Sequence, residues 1–145
     1  MSKELKNGQS DKDLEHFCFI NGISIDKIDY INEIDFNKKG NYILNLDKNQ
    51  NGGTHWVALI IKRSGFYYFD AFGFRPPLNI ENFCKNNKIK CYFNITQFQH
   101  LNEKICGFYC CLFLYITENI YGRLENKEDF YNIIEEFKHW DIEFK

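Results

Sequence analysis

The sequence predicts an α+β fold in which a central, buried helix packs on a small, mostly antiparallel sheet. The segment that begins at Cys106, CGFYCCLFL, is apolar on every side, as is typical of a fully buried helix. The segment from His55 to Lys62, HWVALIIK, is apolar on both faces, which predicts a central strand covered on each side. A tight turn, Arg63-Ser64-Gly65, then leads into the apolar run from Phe66 to Phe69, so the two strands form a hairpin.

Length and composition indicate one domain spanning residues 1–145, with residues 1–9 flexible. Hydrophobic residues make up 44% of the chain and aromatic residues 18%, which excludes general disorder. The formal net charge of -2 gives no electrostatic footprint for nucleic acid. No apolar run has the length of a membrane span or the position of a secretory signal. We therefore expect an intracellular monomer without membrane or nucleic-acid partners.

The first part of the chain is predicted from its capping and turn signals. Ser10 and Asp13 form a capping box ahead of a first helix, and Asn21-Gly22 ends that helix. Residues 23–40 have weak periodicity and stay unassigned. From Tyr42 to Leu46 the side chains alternate, which favours a strand.

The second part continues the alternation of strands and helices. Pro76 or Pro77 opens a short helix that runs through Phe83, and Lys90 to Ile95 form another strand. The apolar helix at Cys106 follows, and its apolar run stops at Thr117. The last helix has a core-facing stripe at i, i+3, i+4 and i+7, made of Phe130, Ile133, Ile134 and Phe137.

The cysteines do not have the spacing of a zinc site. Six are present, without the closely paired ligands that a structural zinc site requires. Cys106 and Cys110 share a helical face, so a metal pair is an alternative, but small hydrophobic core residues explain Cys110 and Cys111 better. We expect no metal. In the first turn of its helix, Cys106 lies where the helix dipole favours a thiolate.

Three residues lie at the ends of matching elements. His55 opens one strand of the hairpin and Asp70 follows the other, so antiparallel pairing brings both to one edge of the sheet. Cys106 begins a helix that packs across that edge. Taken singly, each has a structural explanation: a surface histidine, a turn aspartate and a core cysteine. Their joint placement predicts a nucleophile, a base and a residue that orients the base.

Three motifs carry a resemblance to a known family. The stretches GGTHWVAL, YYFDAFGFRPP and QFQHLNEKICGFYCCLF resemble the adenovirus maturation proteases and the deconjugases of ubiquitin-like proteins. The resemblance implies a papain-like or adenain-like cysteine protease fold. It also implies His55 as the base, Asp70 as the orienting residue, Cys106 as the nucleophile and Gln99 as the oxyanion donor, with Gln97 as the alternative donor.

Details of the motifs favour the adenovirus-like branch. Gln99 precedes Cys106 by seven residues, which is the adenovirus-type spacing. The aspartate at position 70 and the Pro76-Pro77 pair resemble the proteases of virophages and Maverick-type transposons. The resemblance then implies a cysteine endopeptidase that processes viral capsid or core precursors after small residues, in Gly-X-Gly or Gly-Gly contexts.

The resemblance also implies partners, a location and substrate-binding residues. We expect protein substrates and no cofactor, although the adenovirus-type enzymes use a peptide activator. We expect the protein to be located in the host cytoplasm or virus factory and in the virion. Gly53, Trp56 and Gly107 are the candidate substrate-binding residues. A plain turn explains Gly53 equally well, core filling explains Trp56 better, and helix packing explains Gly107 nearly as well. The alternative functions are a deconjugase of ubiquitin-like proteins and a catalytically idle binding module.

Overall fold

The computed structural model describes residues 10–46, 55–98 and 105–139, and it has an α+β architecture. Within these residues no helix is long and apolar enough to span a membrane. The helices are α1 (Asp11–Ile20), α2 (Leu78–Asn86), α3 (Cys106–Tyr115) and α4 (Lys127–Lys138), with a 3₁₀ turn at Ile31–Glu33 and a π-helical turn at Ile116–Tyr121. The strands are β1 (Lys27–Tyr30), β2 (Gly40–Asn45), β3 (Trp56–Lys62), β4 (Gly65–Phe69) and β5 (Cys91–Phe93).

The strands form a mixed sheet in the order β1-β2-β3-β4-β5. β3 lies at its centre, as its apolar sequence predicts, and pairs antiparallel with β2 and β4. The outer strands β1 and β5 pair in parallel with β2 and β4. The prediction of a mostly antiparallel sheet is therefore confirmed for the three central strands and fails for the two short outer strands, which enter in parallel and whose sequences do not encode that direction.

The two faces of β3 pack against different layers. Trp56, Ala58 and Ile60 face a cluster that includes α1, α3 and α4, whereas Val57, Leu59 and Ile61 face a second cluster that includes α2. In α3, every residue from Cys106 to Leu114 is buried. This double coverage explains why neither β3 nor α3 shows a polar face.

Local signals set the ends of several elements as predicted. The Ser10 hydroxyl accepts a hydrogen bond from the Asp13 backbone N–H at 3.1 Å, and the Asp13 carboxylate accepts one from the Ser10 N–H at 3.0 Å. This capping box starts α1, and Gly22 with a φ of 65° follows its end. The predicted stripe of α4 is entirely buried.

Other boundaries differ from the prediction. The unassigned residues 23–40 contain β1 and the 3₁₀ turn. β5 is shorter than the predicted strand, since only Cys91–Phe93 pair with β4. α2 continues past Phe83 to Asn86, because nothing in the sequence before the Asn87 cap stops it. Helical backbone also continues beyond Thr117 to Tyr121, where Gly122 with a φ of 80° ends it.

Candidate active site

The hairpin of β3 and β4 brings His55 and Asp70 together. β3 begins just after His55 and β4 ends just before Asp70, and their antiparallel register pairs Ala58 with Phe69. As that register predicts, the two side chains meet at one edge of the sheet, with His55 Nε2 3.0 Å from Asp70 Oδ1. The side chain of Asp70 is 1% exposed and that of His55 20%, so the ion pair is shielded on the carboxylate side and open on the imidazole side.

Cys106 joins this pair from the helix layer. It is the first residue of α3, so the thiol lies at the positive end of the helix dipole. Its Sγ accepts a hydrogen bond from the Trp56 backbone N–H at 3.3 Å, and its side chain interacts directly with that of His55. Because Nε2 is bonded to Asp70, Nδ1 is the ring nitrogen available to the thiol, and this buried atom has no hydrogen-bond partner among the described residues.

The surroundings of His55 favour the protonated imidazole. Burial by itself lowers the pKa of His55, but hydrogen bonds and charge from Asp70 and Cys106 outweigh burial and raise this pKa to about 9. The imidazole therefore carries a proton at neutral pH. A cation held between a carboxylate and a thiol is the arrangement that stabilises a thiolate.

Phe72 holds His55 from the side, a role that the sequence analysis missed. Its ring stacks on the imidazole, with centroids 4.7 Å apart and planes 14° from parallel. Its backbone N–H donates to Asp70 Oδ1 at 2.7 Å. Gly73 allows this tight turn, because its φ is 77° and a Cβ there would lie 2.7 Å from the Ile95 carbonyl oxygen. The Phe-Gly-Phe motif after the acid was the available signal, although ring stacking cannot be read from it.

The remaining predicted residues are placed only in part. Gln99 and Gly53 lie outside the described residues. The alternative oxyanion donor Gln97 is exposed. Gly107 is buried in the first turn of α3. Trp56 is 4% exposed and belongs to the core cluster on the α3 side.

Trp56 also lines a cavity beside the site. This cavity has a volume of 270 Å³, and Asp11, Tyr30 and Asn45 are among its other lining residues. A larger cavity of 680 Å³ is lined by the hairpin turn around Arg63, at the opposite end of β3 from His55.

The other cysteines are explained by packing. Cys110 and Cys111 are both 0% exposed in the core, and the Cys111 Sγ lies 3.6 Å from that of Cys18. Among the residues that the structure describes, no group of three or more His, Cys, Asp or Glu side chains is arranged to hold a metal ion. Cys106 differs from these core cysteines because its thiol contacts an imidazole, and this arrangement is suited to nucleophilic catalysis.

Comparisons with known proteins agree with a protease relation. No protein-family model matches the chain. A protein named Protease from bovine adenovirus C serotype 10 is 33% identical over 101 residues, in a match that covers 57% of this chain and 52% of the relative. The chain thus spans about half the length of this curated relative. The likeness supports a relation between this chain and the adenovirus proteases.

Proposed function

We propose that this chain is a cysteine endopeptidase of the adenovirus-protease type, with Cys106 as nucleophile, His55 as base, Asp70 as orienting residue and Gln99 as oxyanion donor. The observation that carries the proposal is the 3.0 Å hydrogen bond between His55 Nε2 and Asp70 Oδ1. The same imidazole also interacts with the Cys106 side chain. A buried carboxylate fixes the ring, and the ring faces a thiol at a helix N-terminus. The likeness to a bovine adenovirus protein named Protease supports the same reaction class.

The reaction begins with a Cys106 thiolate beside a protonated His55. The thiolate attacks a peptide carbonyl carbon, and the oxyanion that forms is held by the Cys106 backbone N–H and the Gln99 side-chain amide. His55 gives its proton to the leaving amine as the C–N bond breaks, which leaves a thioester. His55 then takes a proton from water, the hydroxide attacks the thioester, and the thiolate and imidazolium are restored. Asp70 stabilises the imidazolium at both stages.

We further propose viral capsid or core precursors as substrates, cut after small residues in Gly-X-Gly or Gly-Gly contexts. The three motifs that resemble the adenovirus maturation proteases support this assignment. Gly53, Trp56 and Gly107 are proposed to line the substrate path, and the cavity beside Trp56 supports that role for Trp56. We also propose that the enzyme belongs to the same branch as the proteases of virophages and Maverick-type transposons. It acts as a monomer without a cofactor, in the host cytoplasm or virus factory and in the virion, and a peptide activator is the alternative that the resemblance offers.

Peptide cleavage by single-cysteine variants tests the proposal. Wild-type protein, Cys106→Ala and Cys110→Ala are compared on Gly-X-Gly peptides and on ubiquitin-like precursors. Cys110 is the matched control, since it lies one turn further along α3 and is fully buried. We expect Cys106→Ala to lower kcat by about 10⁴-fold or more, as removal of a nucleophile does elsewhere, and Cys110→Ala to retain activity.

Three results would contradict the proposal. Full activity in Cys106→Ala would remove Cys106 from the reaction. Cleavage of the ubiquitin-like precursors alone would replace the maturation protease with a deconjugase. Cleavage of neither substrate by the wild-type protein, with Cys106 alkylated no faster than Cys110, would favour an idle binding module.

A further inference from the structure

We propose that Asn94 is a positioning residue that holds Asp70 in the orientation that bonds His55. The inference rests on the proposed function, because it assigns Asn94 to the same site. It goes beyond the three motifs that carry the family resemblance, since Asn94 lies in none of them and is 24 residues from Asp70 along the chain.

The Asn94 side chain binds both backbone polar groups of Asp70. Its Oδ1 accepts a hydrogen bond from the Asp70 N–H at 2.9 Å. Its Nδ2 donates to the Asp70 carbonyl oxygen at 2.7 Å and to the Thr96 carbonyl oxygen at 3.1 Å. Asn94 is 3% exposed, so these bonds form away from water, where leaving either partner unsatisfied is costly.

The hydrogen bonds of the Asn94 side chain lie where the backbone pairing of β4 with its neighbouring strands ends. The parallel pairing of β4 with β5 ends at Tyr68 and Phe93, and the antiparallel pairing of β4 with β3 ends at Phe69. Asp70 is therefore the first residue of this strand beyond both ladders. The Asn94 amide continues the parallel pairing by one residue, and the Gly73 N–H supplies a further turn bond to the Asp70 carbonyl at 2.8 Å.

The carboxylate depends on this backbone because few bonds orient it directly. Asp70 Oδ1 bonds His55 Nε2 and the Phe72 N–H, whereas Oδ2 is buried and has no hydrogen-bond partner among the described residues. Rotation or displacement of the Asp70 backbone would therefore move Oδ1 away from the imidazole, and among the described residues only the Phe72 N–H bond would hold the carboxylate against it.

The same geometry explains a sequence motif that the function leaves unused. Asn94-Ile95-Thr96 matches the N-glycosylation sequon. A glycan would bond to Nδ2, but this atom is buried and donates to two carbonyl oxygens. The asparagine and its neighbours thus serve the Asp70 backbone and present no glycan acceptor at the surface.

Asn94→Ala tests the proposal through the titration of His55, followed by NMR of the imidazole and assigned by comparison with His55→Gln. Asn87→Ala is the matched control, because Asn87 also donates its amide to a carbonyl, that of Phe83 at 2.8 Å, but in an exposed position. We expect the midpoint of the His55 titration to fall from a pH of about 9 toward 6.5 in Asn94→Ala. In Asn87→Ala we expect this midpoint to stay unchanged. For peptide cleavage we expect kcat to fall by up to about 100-fold, the cost of a displacement of about 1 Å, with KM unchanged.

A folded Asn94→Ala with the wild-type His55 midpoint would overturn the proposal, even if its thermal stability were lower. If Asn94→Ala does not fold, Asn94→Ser decides, because a hydroxyl can accept from the Asp70 N–H but cannot reach both carbonyl oxygens. The titration needs no activity, so it separates the two proposals. A shifted midpoint in a chain that cleaves no peptide would refute the proposed function and leave the positioning role intact.

Discussion

Removing the carboxylate of Asp70 should change how the stability of this protein depends on pH. Asp70 supplies the largest contribution that raises the pKa of His55 from 6.5 to about 9, against the opposing effect of burial. Because the folded-state pKa is above the unfolded value, the protonated imidazole stabilises the fold fully below about pH 6.5. That stabilisation is lost as the pH rises through about 9.

The expected magnitude follows from the size of the shift. At about 1.4 kcal/mol for each pKa unit, the change from 6.5 to about 9 corresponds to about 3 kcal/mol of unfolding free energy. In Asp70→Asn the decline between pH 6.5 and 9 should become clearly smaller, because burial lowers the pKa of His55 and only Cys106 is left to raise it. Urea denaturation at several pH values measures the unfolding free energy in both proteins.

A second buried carboxylate provides the control. Asp129 is also 1% exposed, but its partner is Arg123, 3.0 Å away, which does not titrate in this range. Asp129→Asn should lower the unfolding free energy across the range from pH 6.5 to 9 and keep the wild-type decline over that range. Equal declines in wild-type protein and Asp70→Asn would refute the assignment of the His55 charge to Asp70.

Two further substitutions test the loop that holds His55. Gly73→Ala should lower the unfolding free energy by roughly 2 kcal/mol or more, because a Cβ would lie 2.7 Å from a backbone carbonyl oxygen; Gly22→Ala, where φ is also positive but nothing lies within 4 Å, should cost only about 1 kcal/mol. Equal losses in urea denaturation would contradict the close approach at Gly73. Phe72→Ala removes the ring stacked on His55 and should lower kcat/KM by about 10-fold or less, since aromatic contacts contribute about 0.5–1.5 kcal/mol. Phe74→Ala, whose ring touches Phe72 and is 55% exposed, should leave kcat/KM unchanged, and an equal loss in both variants would count against the stacking role.

Much of the fold could be predicted because its signals are local. The capping box needs only Ser10 and Asp13, and both of its hydrogen bonds form. All residues from Trp56 to Ile61 are apolar, as is typical of a central strand that is covered on both faces. The short turn at its end fixes the hairpin register, and that register determines which edge of the sheet carries His55 and Asp70.

The contacts that hold His55 and Asp70 in position could not be predicted in the same way. The contacts of Phe72 with His55 and of Asn94 with Asp70 join residues from different elements. Neither contact leaves a periodic pattern, because each depends on where a loop or a strand end is placed in space. The role of Gln99 remains a prediction, since it lies outside the described residues.

The sequence by itself determined the central strand, the buried helix, the capping box of α1 and the residue types that meet at the hairpin edge. Only the tertiary structure decided that β1 and β5 join the sheet in parallel, and that an asparagine amide completes the pairing at Asp70. The physical reason is the range of the interactions: hydrophobic period, capping and turn geometry act within a few residues, whereas strand direction and side-chain bonds across elements depend on the packed core.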